Sequence, residues 1–154
     1  MAKTNNPDRY KEIRNNRVFK DYFVDETNEC GIVLRGTEVK SIRQGHAQIE
    51  DSFVRIEKGV PVLYHMHIRE YAFGTNTNHN PIRPRKLLLK KREILKWDLA
   101  LQGGGKTLVP VKLYFKKGLV KVLVGLCRGK KSYDKRHDLK AREADREIER
   151  ALKH

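Results

Sequence analysis

Thr107-Leu108-Val109-Pro110-Val111-Lys112-Leu113-Tyr114-Phe115, then Lys116-Lys117-Gly118, then Leu119-Val120-Lys121-Val122-Leu123-Val124-Gly125-Leu126-Cys127 is the stretch that decides the fold. Two apolar, β-branched runs flank a short turn that ends in glycine, which predicts a long antiparallel hairpin. At a period of two, Val109, Val111, Leu113 and Phe115 share one face, as do Val120, Val122, Val124 and Leu126 of the return strand. Lys112 and Tyr114 fall on the opposite face, and Lys121 lies out of phase with Val120 and Val122. A sheet face of this kind offers cations to phosphates and a ring to a base. Alternation alone fits a solvated strand face equally well.

Upstream of the hairpin the elements are short. The aromatic and β-branched run Asp21-Tyr22-Phe23-Val24-Asp25-Glu26, a turn-like Thr27-Asn28-Glu29, and Cys30-Gly31-Ile32-Val33-Leu34 predict a first hairpin. Residues 36–45 predict a short helix, with Thr37 as N-cap and Gly45 as stop signal. Residues 47–50, 52–57 and 60–68 read as strands, 72–84 as loop and 86–89 as a further strand. Ile94, Leu95, Leu99 and Leu101 carry helical spacing over residues 91–101. Many short strands with two modest helices predict a mainly β fold, an antiparallel barrel of the oligonucleotide-binding type with short flanking helices.

Three segments follow from composition. Residues 1–17 are polar and read as a flexible arm, and residues 18–129 form the barrel domain. Residues 130–154 form a basic tail, with helix formers and no glycine or proline from His137 onward. Ala141, Ala144, Ile148, Ala151 and Leu152 make a thin apolar stripe, opposite Arg142, Arg146, Arg150 and Lys153. Such a helix buries little, so it is expected to be disordered alone and helical on a partner.

The chain has 154 residues, 34 Lys and Arg against 19 Asp and Glu, and a formal charge of +15. That excess implies a polyanionic partner, nucleic acid first. The densest block, Arg83 to Arg92, holds six cations and no acid. No apolar run approaches the roughly 20 residues of a membrane span. The N-terminal residues lack the apolar core of a secretory signal. Cys30 and Cys127 stand far apart in sequence, against a disulfide scaffold or zinc cluster and in keeping with a reducing cytoplasm.

Motifs for other chemistry are weak. Ala100-Leu101-Gln102-Gly103-Gly104-Gly105-Lys106-Thr107 approximates a phosphate loop, but the helix precedes it and a strand follows, the reverse of what phosphate binding needs. His65, His67 and His79 have no nearby cysteine or acidic cluster to complete a metal tetrahedron. Glu50-Asp51 and Asp25-Glu26 are strand neighbours that point to opposite faces. The expectation is no cofactor, no metal and no catalytic centre.

Taken together, Asp21-Tyr22-Phe23, Glu29-Cys30-Gly31, Gly36-Thr37-Glu38-Val39-Lys40-Ser41, Asp51-Ser52, Arg83-Pro84-Arg85-Lys86-Leu87-Leu88-Leu89, Leu113-Tyr114-Phe115-Lys116 and Gly129-Lys130-Lys131-Ser132-Tyr133-Asp134-Lys135-Arg136 resemble, in order and spacing, the small protein B family, the SsrA-binding proteins of bacterial trans-translation. The resemblance implies a barrel that grips the tRNA-like domain of transfer-messenger RNA (tmRNA) and is not an enzyme. It implies delivery with elongation factor Tu to stalled 70S ribosomes. There the tail would enter the 16S rRNA decoding centre and the empty messenger channel. The residues alone leave open a general RNA-binding or ribosome-associated structural protein.

Matched to the family motifs, the RNA-binding positions are Asn15, Glu29, Leu88 and Lys121. As a residue, Glu29 fits a turn carboxylate paired with a nearby arginine better than an RNA contact, and Leu88 fits an ordinary core leucine equally well. A carboxylate at an RNA surface accepts hydrogen bonds from base or 2′-hydroxyl donors. Charge density adds Arg85, Lys86, Lys90 and Lys91, and strand alternation adds Lys112 and Tyr114. In the tail, Asp134, Lys135 and Arg136 match the decoding-centre segment. Tyr133 stands where some members carry histidine, and its ring can stack on a base. Arg142, Arg146, Arg150 and Lys153 would meet ribosomal RNA phosphates in the channel.

Overall fold

A computed structural model describes residues 10–74 and 78–152. In chain order these form β1 (Ile13–Arg14), α1 (Val18–Asp21), β2 (Tyr22–Ile32), α2 (Gly36–Arg43), β3 (Ala47–Gln48), β4 (Phe53–Glu57) and β5 (Val60–Tyr64). There follow β6 (His67–Ile68), β7 (Arg85–Leu88), α3 (Lys91–Gln102), β8 (Lys106–Lys116), β9 (Leu119–Gly129) and α4 (Ser132–Leu152). Strands pair in the order β8-β4-β5-β7-β2-β9, and β9 pairs back onto β8, so the sheet closes into an antiparallel barrel. Closure leaves no long unpaired edge among the described residues. β3 and β6 form a separate two-stranded sheet.

The predicted hairpin over residues 21–34 is one continuous strand. β9 is long enough to pair with it from Tyr22↔Gly129 to Gly31↔Lys121, and that ladder carries Thr27-Asn28-Glu29 straight through. The strand expected over residues 60–68 is two, because His65 takes a left-handed backbone (φ 64) and sends His67 into the other sheet. In β8 the inner face slips by one residue. A bulge between Pro110 and Lys112 puts Leu108, Leu113 and Phe115 in the main core with Val120, Val122, Val124 and Leu126. Val109 and Val111 instead pack with Val18 and Cys127 in a second cluster. Pro110 has no N–H for the ladder, which is where a bulge is tolerated.

The polar arm begins to fold earlier than its composition predicts. Ile13 and Arg14 pair with Leu113 and Lys112, and Val18 is buried. Residues 1–9 of that arm lie outside the described residues.

The helices plug the barrel. Trp97 is the buried residue of α3, whereas Leu95 and Leu99 of the predicted apolar stripe are exposed. The Asn28 amide, with its oxygen toward the indole, accepts from Trp97 Nε1 at 3.2 Å. The N-cap of α2 is Arg35, whose N–H donates to the Glu38 carboxylate at 2.8 Å. Thr37, expected in that role, instead meets the Nδ1 of buried His79 at 2.9 Å. His79 Nε2 lies 2.9 Å from Ile68 O, which can only accept, so this nitrogen carries a proton.

Candidate nucleic-acid interface

The register of the barrel lines up two rows across its outer surface. Leu88 faces Gly31, Gly31 faces Lys121, and Lys121 faces Tyr114, so one row crosses β7, β2, β9 and β8. Two positions along, Glu29 faces Leu123, Leu123 faces Lys112 and Lys112 faces Arg14. The motif positions Glu29, Leu88 and Lys121 therefore share one wall with Lys112 and Tyr114.

Glu29 is an exposed strand residue on this wall and pairs with no arginine among the described residues. It accepts from the Tyr114 hydroxyl and from Lys116 Nζ at 3.3 Å. The Tyr114 bond, with Lys116 and Lys121 nearby, holds the carboxyl below its ordinary value although burial opposes it. Burial and then the Glu29 charge push the Tyr114 hydroxyl well up, so it stays a donor. Lys112 Nζ sits 5.0 Å from the Tyr114 ring centroid and 3.3 Å from Glu12. Lys121 has no carboxylate within ion-pair distance among the described residues. Its ammonium is available to an incoming anion.

Leu88 is 58% exposed, which removes the ordinary-core alternative. A Cβ on Gly31 would lie 3.2 Å from Leu88 Cβ, so glycine there lets Leu88 drape across β2. The two line an apolar groove of about 270 Å³ with Ile32, Leu34, Leu119 and Lys121.

Arg85 corrects the charge-density expectation. It is fully buried, ion-paired with buried Glu38, and donates to Met66 O at 2.7 Å and Pro81 O at 3.1 Å. Three donors of its guanidinium fork tie β7 to α2, to the link between β5 and β6 and to the 69–84 loop, and its burial keeps it from RNA. Lys86, Lys90 and Lys91 are exposed, and Lys90 caps α3. Lys86 shares the outer face of β7 with Leu88.

Asn15 is buried next to this wall. Its amide donates to Pro110 O at 3.0 Å and accepts from Arg17 N–H at 3.1 Å, which pins the end of β1 to the β8 bulge. It lines a cleft of about 520 Å³ with Arg14, Asn16, Phe19, Lys112, Leu123 and Arg142. Arg14 and Lys116 are absent from the residues expected on sequence. Lys116 extends the alternation of Lys112 and Tyr114 by one more step, a signal that reading it as turn conceals.

Tyr133, Asp134, Lys135 and Arg136 lie in the first turns of α4, which starts five residues before the expected His137. The side chains of Tyr133, Asp134 and Lys135 lie outside the described residues, as does Lys153 altogether. Arg142 donates to Phe19 O at 3.1 Å, which Lys130 Nζ also reaches at 2.8 Å. Arg146 and Arg150 are exposed, and so are Leu139 beside them and Ile148 and Leu152 of the apolar stripe.

Gly104 and Gly105 take left-handed backbones between α3 and β8, a helix-to-strand link. Burial pushes the Cys30 thiol up to about 12 and the Cys127 thiol up to about 11. Neither forms a disulfide. Among the described residues no helix is long and apolar enough to cross a membrane.

A model of the SmpB protein family matches residues 12–154. The chain belongs to the SmpB family. An SsrA-binding protein of Geobacillus sp. (strain WCH70) is 54% identical over 140 residues, covering 91% of this chain and 90% of that protein. One from Thermobifida fusca (strain YX) is 53% identical over the same length, covering 91% and 88%. A solved SmpB structure, described as "tmRNA-SmpB: a journey to the center of the bacterial ribosome", superposes with a TM-score of 0.67 at 45% identity. It covers 79% of this chain and 85% of that one. The mainly β barrel with short helices is thus the SmpB fold.

Proposed function

We propose that this protein binds the tRNA-like domain of tmRNA and delivers it to stalled ribosomes for trans-translation. The observation that carries it is the wall on which Lys121, Leu88, Tyr114 and Glu29 converge, in a chain of the SmpB family. The wall has a part for each need. Lys121 and Lys112 meet phosphate, Leu88 packs against an exposed nucleotide, and Glu29 accepts from base or 2′-hydroxyl donors. Tyr114 holds Glu29 ionised and pointed outward. Asn15 acts from beneath, by fixing β1 and α1 against the bulge beside that wall.

The tail supplies the second half. Arg136, Arg142, Arg146 and Arg150, with Tyr133, Asp134, Lys135 and Lys153, would occupy the decoding centre and the vacant messenger channel. Messenger already in the channel competes for the same phosphate-lined groove, so occupancy sensing needs no further device. Elongation factor Tu shares the delivery complex, and the protein works in the cytoplasm without turnover of its own.

A competition titration tests the RNA half. A tmRNA tRNA-like fragment is expected to outcompete bulk tRNA and duplex RNA. Equal competition by all three would leave a general RNA-binding protein instead.

A further inference from the structure

We propose that α4 of one copy packs antiparallel on α3 of a second copy, so that the free protein self-associates into a two-fold dimer. The proposal goes beyond the RNA reading and does not depend on it.

The two helices carry one pattern with opposite charge. α3 has Arg92-x-x-Leu95-Lys96-x-x-Leu99, and α4 has Asp145-x-x-Ile148-Glu149-x-x-Leu152. On a helix each pattern is an apolar pair one turn apart, flanked on the same side by a row of like charge. That row is basic on α3 and acidic on α4. Neither apolar pair is covered: Leu95 and Leu99 are 62% and 69% exposed, Ile148 and Leu152 58% and 82%. Arg92, Asp145 and Glu149 have no opposite charge within ion-pair distance among the described residues. Lys96 meets Glu26 at 3.4 Å and stays mostly exposed.

Three arguments select a second copy as the occupant. The first is register. Turning one helix end for end keeps its flanking row on the same side, so antiparallel packing sets Arg92 against Glu149 and Lys96 against Asp145. The second is chemistry. Phosphate repels Asp145 and Glu149, and Arg142, Arg146 and Arg150 line the other side of α4, so the acidic row suits a basic protein face rather than RNA. Like charges one turn apart also weaken a lone helix, and an opposite row relieves them. The third is position. Arg142 on Phe19 O ties α4 to α1, and Asp145 lies about 20 Å along the helix from Ser132, so one chain leaves both of its stripes uncovered.

Two-fold symmetry makes the contact twice, which brings the area toward the roughly 1,000 Å² of a specific interface. By mass action the dimer holds α4 helical in the free protein, where a helix with so thin a stripe is marginal by itself. Neither stripe includes a residue of the Leu88–Lys121 row.

Sedimentation equilibrium of the nuclease-treated full chain, from micromolar to millimolar, is expected to show a monomer–dimer equilibrium. Leu95→Ser should raise the dissociation constant at least about tenfold, since the contact is lost twice. Arg92→Glu and Glu149→Arg should each raise it about fivefold, and the double variant should return to within about twofold of wild type. All three positions are exposed, and circular dichroism checks that each variant folds. Affinity for the tmRNA tRNA-like fragment should be unchanged in every variant, so loss of the dimer and failure of the RNA reading are told apart. A chain that stays monomeric once nuclease has removed bridging nucleic acid would overturn the proposal. So would association unmoved by Leu95→Ser, or a double variant no tighter than its single parents.

Discussion

Glu29 and Tyr114 sit on strands that do not touch, with β9 between them, and the tyrosine hydroxyl nevertheless donates to the carboxylate. The bond spans the surface of β9 beside Lys121 and Leu123. It fixes a negative group in the middle of a positive wall, with Lys116 at 3.3 Å on its far side. Uniform positive charge attracts any RNA; a fixed acceptor among cations asks for a donor at one place.

Lys121→Glu tests the charge half of that wall. Lys121 lies centrally in its row, without an ion-pair partner among the described residues, so reversal places an unbalanced carboxylate where phosphate approaches. Affinity for the tmRNA fragment is expected to fall at least about tenfold at low salt. The slope of log affinity against log salt should shrink by about 1. A filter-binding series across salt reads both, and an unchanged slope would place the phosphate contacts elsewhere.

Gly31→Ala tests the shape half without changing charge. The new Cβ would lie 3.2 Å from Leu88 Cβ, so Leu88 must shift off β2 and the groove beside Lys121 changes form. RNA affinity is expected to fall while the salt slope stays as in the wild type. Circular dichroism and thermal melting check that the barrel persists. Wild-type affinity in a folded variant would show that the position of Leu88 is immaterial.

The barrel was legible because β9 alternates without fault and its partner is close in sequence. The slip in β8 was not, since a bulge changes which residues face inward and leaves only Pro110 as a hint. The false turn at Thr27-Asn28-Glu29 has the same origin. Polar residues on a ladder read as turn until a long partner strand is known. Arg85 was misplaced because a charge cluster does not reveal which cation a buried carboxylate will claim. Glu38 decides that from 47 residues away. The Glu29–Tyr114 bond was hidden for a similar reason, being a contact of register across 85 residues.

Glu38 gives the fold an acid limit. Burial alone would raise its carboxyl, but the Arg35 N–H and the Arg83 and Arg85 guanidinium groups outweigh it and hold the pKa below its ordinary 4.5. A carboxyl depressed on folding stabilises the native state above its unfolded value. That stability is lost as pH falls from there through the folded value. Glu38→Gln leaves Arg85 buried without its counter-charge and should cost about 3–5 kcal/mol near neutrality. It should also flatten the decline of stability below pH 4.5. Urea unfolding at a series of pH values measures both. Parallel acid limbs in wild type and variant would assign the acid limit to other groups.

Removing residues 134–154 tests the division between barrel and tail. The segment carries seven basic and six acidic side chains, so its loss barely alters the long-range field that draws RNA. Its described hold on the body includes Arg142 on Phe19 O, a bond at the rim of the Arg14–Lys112 cleft and away from the Leu88–Lys121 row. Affinity for the tmRNA fragment should therefore stay within about twofold of the full chain. Tagging of nascent peptide on stalled ribosomes should disappear, because nothing is left to enter the vacant channel. With the full chain, tagging should decline as messenger extends further past the decoding site, since the segment and messenger compete for one groove. Equal peptide transfer at every messenger length would refute that competition. Loss of fragment binding on truncation would place part of the RNA grip in α4.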